Sequence, residues 1–384
     1  MGFKFVDFYY FQCFENINMK VHLIKSKELP VFKFNAVCDY INSFDGEIVF
    51  KSLDYEEVEN ESQEYEEDAE LFKLTLEDNS PQIKEDFDRF FDQCENYRKE
   101  QSIPENELVI LLTNEKNKNN FFGYPSKSMK NVFIQTSNWK DVLGEGLDDV
   151  FPIVYEISAW TLRFLLFKSE GEMKTKISPK PVGCVMDMCK EKGDFSFKIR
   201  TGDISPDVMK LIQKKNINPS YMNQLISIFE KVRKGVLFRE RVGITNGLSR
   251  LELREFGKKL KLVLVDFGDL PLSFEPLETA IYLLFLKVPG GVRLQEFDSE
   301  IEIFKNILET VYTFKNDLDF VSNLIEKYTS IEQTTLLIQN ISRINRKLKK
   351  VIPSNIVSKY QIDGQSGENY RISLDRDLVD LHIL

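Results

Sequence analysis

Residues 152–167 read PIVYEISAWTLRFLLF. Proline fits the first turn of a helix, and Asp148 or Asp149 stands just ahead of it as a cap. Ile153, Val154, Ile157, Trp160, Leu162, Phe164 and Leu165 put apolar side chains on nearly every side of that helix. A helix without a polar face belongs inside a protein. The stretch therefore predicts the buried centre of a domain, and the neighbouring segments must supply the layers that cover it.

Those segments read as a mixture of strands and helices. Residues 3–14 and 20–24 are aromatic or β-branched, and residues 47–51 repeat the pattern after the Asp45-Gly46 turn, so 1–50 reads as strand-rich. Residues 82–99 read as an amphipathic helix with Phe87, Phe90, Phe91 and Cys94 on one face. ELVILLT, 107–113, is a short apolar run bounded by polar residues and reads as a buried strand, as does 132–136. Beyond the central helix, 171–181 reads as a connection and 195–200 as a strand. Asn218 and Pro219 open a helix that Gly235 is expected to end. A domain boundary is placed near 243–247. The expected fold class is α+β. Residues 1–50 form the strand-rich start of a first domain, 51–70 an acidic mobile loop, and 71–245 a mixed α/β domain around the helix at 152–167. Residues 246–384 form a second domain.

Charge is unevenly spread. The formal net charge is −10, and residues 51–70 hold ten acids against one lysine. Like charges repel and nothing apolar is available there to bury, so the segment reads as a solvated loop or as an arm for a basic partner. Five scattered cysteines without a CxxC pair read as reduced thiols. Only two histidines exist, His22 and His382, which argues against a histidine-ligated zinc site and a histidine-activated nucleophile. Residues 1–10 show no basic region followed by a long apolar run, and no segment has the twenty or so apolar residues that cross a bilayer. The expectation is a cytoplasmic chain with no membrane contact, no cofactor and no structural metal.

From Leu248 onward the order is two strands, a helix with Leu283-Leu284-Phe285-Leu286, the turn Pro289-Gly290-Gly291-Val292, further helices, a basic helix and a hairpin. The basic helix contains Ile341 to Val351, with five positive charges and no acid, and the hairpin tip is Gly364-Gln365-Ser366-Gly367 before Tyr370-Arg371-Ile372. This layout resembles the winged-helix output domain of response-regulator transcription factors. The resemblance implies that the basic helix enters the DNA major groove and that the hairpin touches the backbone or minor groove. Arg343, Asn345, Arg346, Lys347, Lys349 and Lys350 are then contact candidates, with Arg371 beside the hairpin tip. Winged helices also serve as protein-docking modules, and a basic face is often merely solvated. Residues 271–330 carry five bases and ten acids, and 331–384 eight bases and six acids, so the domain is mildly acidic overall, which argues against DNA.

A second resemblance lies in Val154-Tyr155-Glu156-Ile157-Ser158-Ala159-Trp160, followed by Gly183-Cys184-Val185-Met186. It is similar in layout to an archaemetzincin-like zinc peptidase, with HExxHxxGxxH on a central helix and a Cys-Val-Met segment after it. Two histidines four apart would ligate zinc while the glutamate acts as base. Only Glu156 is kept; Tyr155, Ala159 and Leu165 stand at the ligand positions. The resemblance implies a zinc-free pseudoenzyme. In purely structural terms Glu156 is a helix carboxylate paired with Arg163, and Cys184 and Cys189 are small buried packing residues. The leading reading is a non-enzymatic regulator or adaptor acting through DNA, a protein partner, or both. Two alternatives stand beside it. One is a metal-dependent hydrolase using carboxylates such as Glu156, Asp187, Asp194 and Asp203; separately, the Cys-, Asp- and Lys-rich segment 184–207 reads as specialised. The other is a component of a bacterial defence system.

Overall fold

Leu108–Thr113 (β3) is buried at every position, as a strand covered on both faces must be. It lies at the centre of a five-stranded sheet with β1 (Lys20–Lys25), β2 (Val49–Lys51), β4 (Gly123–Pro125) and β5 (Asn131–Gln135), in the order β2-β1-β3-β5-β4. All pairs are parallel except β4 with β5, so one edge strand runs against the rest. The computed structural model describes residues 19–53, 87–144, 149–177, 180–189, 191–257, 259–312, 318–329, 333–365 and 367–383. The expected strand at 3–14, Cys13 and all but the first three residues of the acidic segment 51–70 lie outside them.

Alternation along the strands sends side chains to two layers. Ile24, Val109, Leu111 and Phe133 meet Phe90 and Cys94 of α2 (Phe87–Gln101) on one face. Val21, Leu23, Ile110, Leu112 and Ile134 face α1 (Val31–Ile41) and the central helix on the other. After the short α3 (Lys140–Leu143), that helix is α4, Val150–Leu166, buried at fifteen of its positions. It is the centre of the domain, as its apolar pattern predicts. Asp149 flanks it as expected but makes no capping hydrogen bond; its carboxylate instead meets Lys33 at 2.9 Å.

Four expectations are corrected. Residues 1–50 are not all strand, since α1 separates β1 from β2 and supplies the crossover that parallel strands require. Residues 171–181 contain α5 (Glu170–Lys176), capped by the Ser169 hydroxyl. The alternation Phe195, Phe197, Ile199 suggests a strand, but the segment is α6 (Asp194–Thr201), which buries Phe195, Lys198 and Ile199 at helical spacing and leaves Phe197 exposed. After α7 (Pro206–Lys214), the helix opened by Asn218 does not stop at Gly235. It continues as α8 (Pro219–Thr245) and ends at Asn246, whose φ of 51° is left-handed.

The second unit begins there. β6 (Leu251–Phe256) and β7 (Lys259–Leu264) pair antiparallel, with β8 (Leu270–Pro271) beyond β7. α9 (Pro276–Lys287), α10 (Ile301–Tyr312), α11 (Leu318–Tyr328) and α12 (Gln333–Val351) follow. β9 (Ile362–Asp363) and β10 (Arg371–Ile372) form the hairpin, and β11 (Val379–Asp380) returns to pair with β6. Val292, after α9, bridges Tyr370, tying that turn to the hairpin. The molecule is a mixed α/β fold, and one continuous set of buried apolar side chains joins its two units. Among the described residues no single helix is long and apolar enough to cross a membrane.

Glycine makes the junction. A Cβ on Gly235 would lie 2.6 Å from the Phe267 carbonyl and 2.8 Å from the Phe151 ring. Alanine is the better helix former by about 1 kcal/mol, yet Gly235→Ala is expected to destabilise the protein by about 1–3 kcal/mol through overpacking. Urea unfolding measures this. A variant as stable as its parent would mean that α8 does not approach the 267 turn so closely.

Candidate functional site

Glu156 sits midway along α4, where the helix is buried on every side. A carboxylate there must be matched by charge and hydrogen bonds. Lys198 of α6 provides the nearest match, its Nζ 2.7 Å from Glu156 Oε1. Arg163, two turns further along α4, brings Nη1 to 3.8 Å from Oε2. Both cations are as buried as the acid. Burial alone would raise the Glu156 pKa, but the charges of Lys198 and Arg163 prevail and hold it below its ordinary value.

Arg163 also organises the Cys-Val-Met segment. Its Nη2 donates to the carbonyls of Met186 and Asp187 at 3.3 and 3.2 Å, and its guanidinium lies 4.3 Å over the Trp160 ring. The Asp187 carboxylate accepts the amides of Val182, Gly183 and Cys184 at 2.7, 2.9 and 2.9 Å. Segment 182–187 is thereby folded onto α4 by one aspartate and one arginine. Lys198 lies 5.4 Å from the centres of both the Tyr155 and Phe195 rings, and the Tyr155 hydroxyl donates to the Lys198 carbonyl at 3.4 Å.

Glu156 and Arg163 are together, as the spacing of seven predicts. Tyr155 and Ala159 are buried in the helix. Leu165 is ten residues beyond Tyr155 on an unbroken helix, a rise of about 15 Å, so the three positions do not converge. Asp187 is spent on backbone amides, and Asp203 Oδ1 accepts the Ile204 amide at 2.7 Å. Asp194 lies in the first turn of α6. The carboxylate set of the hydrolase reading is therefore not assembled. Among the described residues no group of three or more His, Cys, Asp and Glu is placed to hold a metal ion. Cys184 is buried, and burial pushes the half-buried Cys189 thiol up to about 11. Sequence reasoning missed Lys198; its signal was a lysine between Phe195 and Ile199, at the spacing of a buried helix face.

The basic helix is α12. Leu337, Ile341, Ile344, Leu348 and Val351 form its buried stripe. Arg346, Lys349 and Lys350 are exposed, Arg343 is half-buried, and Arg371 is exposed on β10. Two expected contact residues work inside the fold. The Asn345 amide donates to the Ile362 carbonyl at 2.8 Å and accepts the Ile362 amide at 3.0 Å, joining helix to hairpin. Lys347 meets Glu278 of α9 at 2.7 Å, and that glutamate is buried. No protein-family model, curated protein or solved structure matches the chain.

Glu156→Gln leaves two buried cations uncompensated and is expected to cost about 3–5 kcal/mol of stability. The folded Glu156 carboxyl ionises below its ordinary value of 4.5, so its stabilising share is full above that pH and is lost as pH falls through the lower folded value. Urea unfolding from pH 7 to pH 3 is expected to show a fall in stability that is shallower in the Gln variant. Equal slopes would dismiss the ion cluster as the source.

Proposed function

We propose that this chain is a non-catalytic regulator or adaptor. Its first unit is a degenerate peptidase-like domain, and its second is a winged-helix module that contacts DNA through α12. The observation that carries the non-catalytic reading is the Glu156–Lys198 ion pair: the one retained catalytic-type carboxylate faces a protein cation in a closed interior. A general base needs access to water and substrate. The positions at which zinc ligands would stand hold Tyr155, Ala159 and Leu165, none of which supplies an imidazole.

The binding reading is supported by the layout of α12. Arg343, Arg346 and Lys350 follow at i, i+3 and i+7 on the side away from the buried stripe, with Lys349 beside them. The hairpin with Arg371 adjoins the same helix through Asn345. Since Asn345 and Lys347 are engaged internally, the outward residues are arginine and lysine, which favour phosphates over base edges. The binding this implies is weakly sequence-selective and strongly salt-dependent. A protein partner is the reading for this face if DNA does not bind.

Fluorescence anisotropy with duplex DNA tests this. Each phosphate neutralised contributes roughly −0.9 to the slope of log affinity against log salt. Arg343→Ala/Arg346→Ala/Lys350→Ala is expected to reduce the slope by about 3 and the affinity by at least about tenfold. Lys347 is left intact because it holds Glu278. Salt-insensitive binding, or binding unchanged in the triple variant, would refute DNA contact through α12.

A further inference from the structure

A cleft of about 530 Å³ opens at the edge of the five-stranded sheet where β1, β3 and β5 begin, beside the last turn of α4. Its size falls within the range of small-molecule sites. Met19, Phe164, Leu165 and Phe167 supply its apolar wall. The Met19 amide donates to the Tyr221 hydroxyl at 3.1 Å, which fixes the start of β1 against α8. Arg98 braces the strand starts from below. Its Nε donates to Asn131 at 2.7 Å, and its Nη2 to the carbonyls of Glu107 and Lys130 at 2.6 and 2.7 Å.

The charges at the rim are not equivalent. Lys20, Lys130 and Lys168 line the cleft with Glu105 and Glu107. Glu107 is buried, and its carboxylate is divided between Lys20 Nζ at 3.0 Å and His22 Nε2 at 2.7 Å. Burial opposes its ionisation, yet His22 and Lys20 hold its pKa below the ordinary value, so the Lys20 charge is already matched. Burial lowers the His22 pKa despite Glu107, so the imidazole adds no full charge near neutrality. Glu105 differs, because its side chain is 77% exposed where it meets Lys130. A surface pair of that kind contributes at most about 1 kcal/mol and exchanges readily. Lys168 is exposed at the end of α4. An incoming anion thus meets Lys130 and Lys168 in competition with Glu105 and with Glu172, whose carboxylate accepts the Lys168 amide at 2.8 Å, while the Glu107 pair stays closed. An incoming cation would meet two ammonium groups, and a wholly apolar molecule would leave the charged rim unused.

We propose that this cleft binds a small amphipathic anion, its apolar body on Phe164, Leu165 and Phe167 and its charged group between Lys130 and Lys168. A medium-chain carboxylate has the required chemistry. The proposal is independent of DNA contact by α12 and of the peptidase-like ancestry.

Isothermal titration calorimetry of the full chain with octanoate, below its micelle concentration, is the direct test. Octanol serves as the uncharged control. Saturable one-to-one octanoate binding is expected, with octanol weaker by about tenfold. Lys130→Glu/Lys168→Glu, two changes at the rim, is expected to weaken octanoate by at least about tenfold and leave octanol unchanged. Leu165→Trp fills the wall and is expected to abolish both while the chain still unfolds in one cooperative transition, at a somewhat lower melting temperature. Free amphiphiles and lipid headgroups share this chemistry, so a parallel arm uses phosphatidylglycerol vesicles. The proposal is overturned by absence of octanoate binding, by equal affinity in the parent and the lysine variant, or by association with vesicles alone.

Discussion

A carboxylate in the middle of a helix buried on all sides has to find a cation, and the surroundings of α4 follow from how Glu156 does so. Lys198 reaches it at 2.7 Å, which brings α6 against α4 and places Phe195 beside Tyr155. Arg163 approaches it from the same helix and carries the 182–187 segment with it. Removing two ions from water is costly, and their attraction offsets that cost only in close geometry. The close geometry of the cluster therefore fixes how these segments sit against one another. One buried carboxylate thus ties together α4, α6 and the 182–187 segment.

The second constraint is the closeness of the two units. Gly268, at φ +74°, accepts a hydrogen bond from the Tyr40 hydroxyl at 2.6 Å through its carbonyl, and a Cβ there would collide with the Lys231 carbonyl. Gly235 on α8 faces the same turn. Charges surround this contact: Lys231 and Arg254 both pair with Asp269, and Lys261 pairs with Asp39 of α1. At the far end, Arg239 donates to the Val351 carbonyl, and Asn355 donates to the Val242 carbonyl at 2.9 Å. The last turn of the basic helix is therefore fastened to the helix that packs on α4.

Much of this was legible in residue order, because hydrophobic periodicity reports burial directly. The all-apolar helix at 152–167 and the helices from α9 to α12 were readable from apolar spacing over their length, and the run 107–113 read as a strand because it is short and bounded by polar residues. The errors have physical causes. Phe197 is exposed, which no periodicity announces, and its alternation with Phe195 and Ile199 imitated a strand. Gly235 looked like a helix terminator because its use depends on the Phe267 carbonyl, thirty-two residues away in the chain. Within the candidate site, Glu156 and Arg163 were visible through their helical spacing. Lys198 was not, because a lysine is ordinarily at the surface and only a buried acid explains one inside. The outward charges of α12 were legible too. The engagement of Asn345 and Lys347 was not, since their partners come from the hairpin and from α9.

α8 runs for 27 residues without a break, roughly 40 Å of helix: Gln224 near its start holds Phe44 and Ile48, Gly235 further along meets Phe151 of α4 and Phe267 of the second unit, and Arg239 and Val242 near its end meet Val351 and Asn355. Each residue of such a helix advances it by about 1.5 Å and turns it by about 100°. Adding or deleting one residue inside α8 would swing Gly235, Arg239 and Val242 out of phase with everything they touch. Loops elsewhere in the chain can drift in length, but this helix can change only by steps that restore its phase, so its length acts as the ruler that sets one unit against the other.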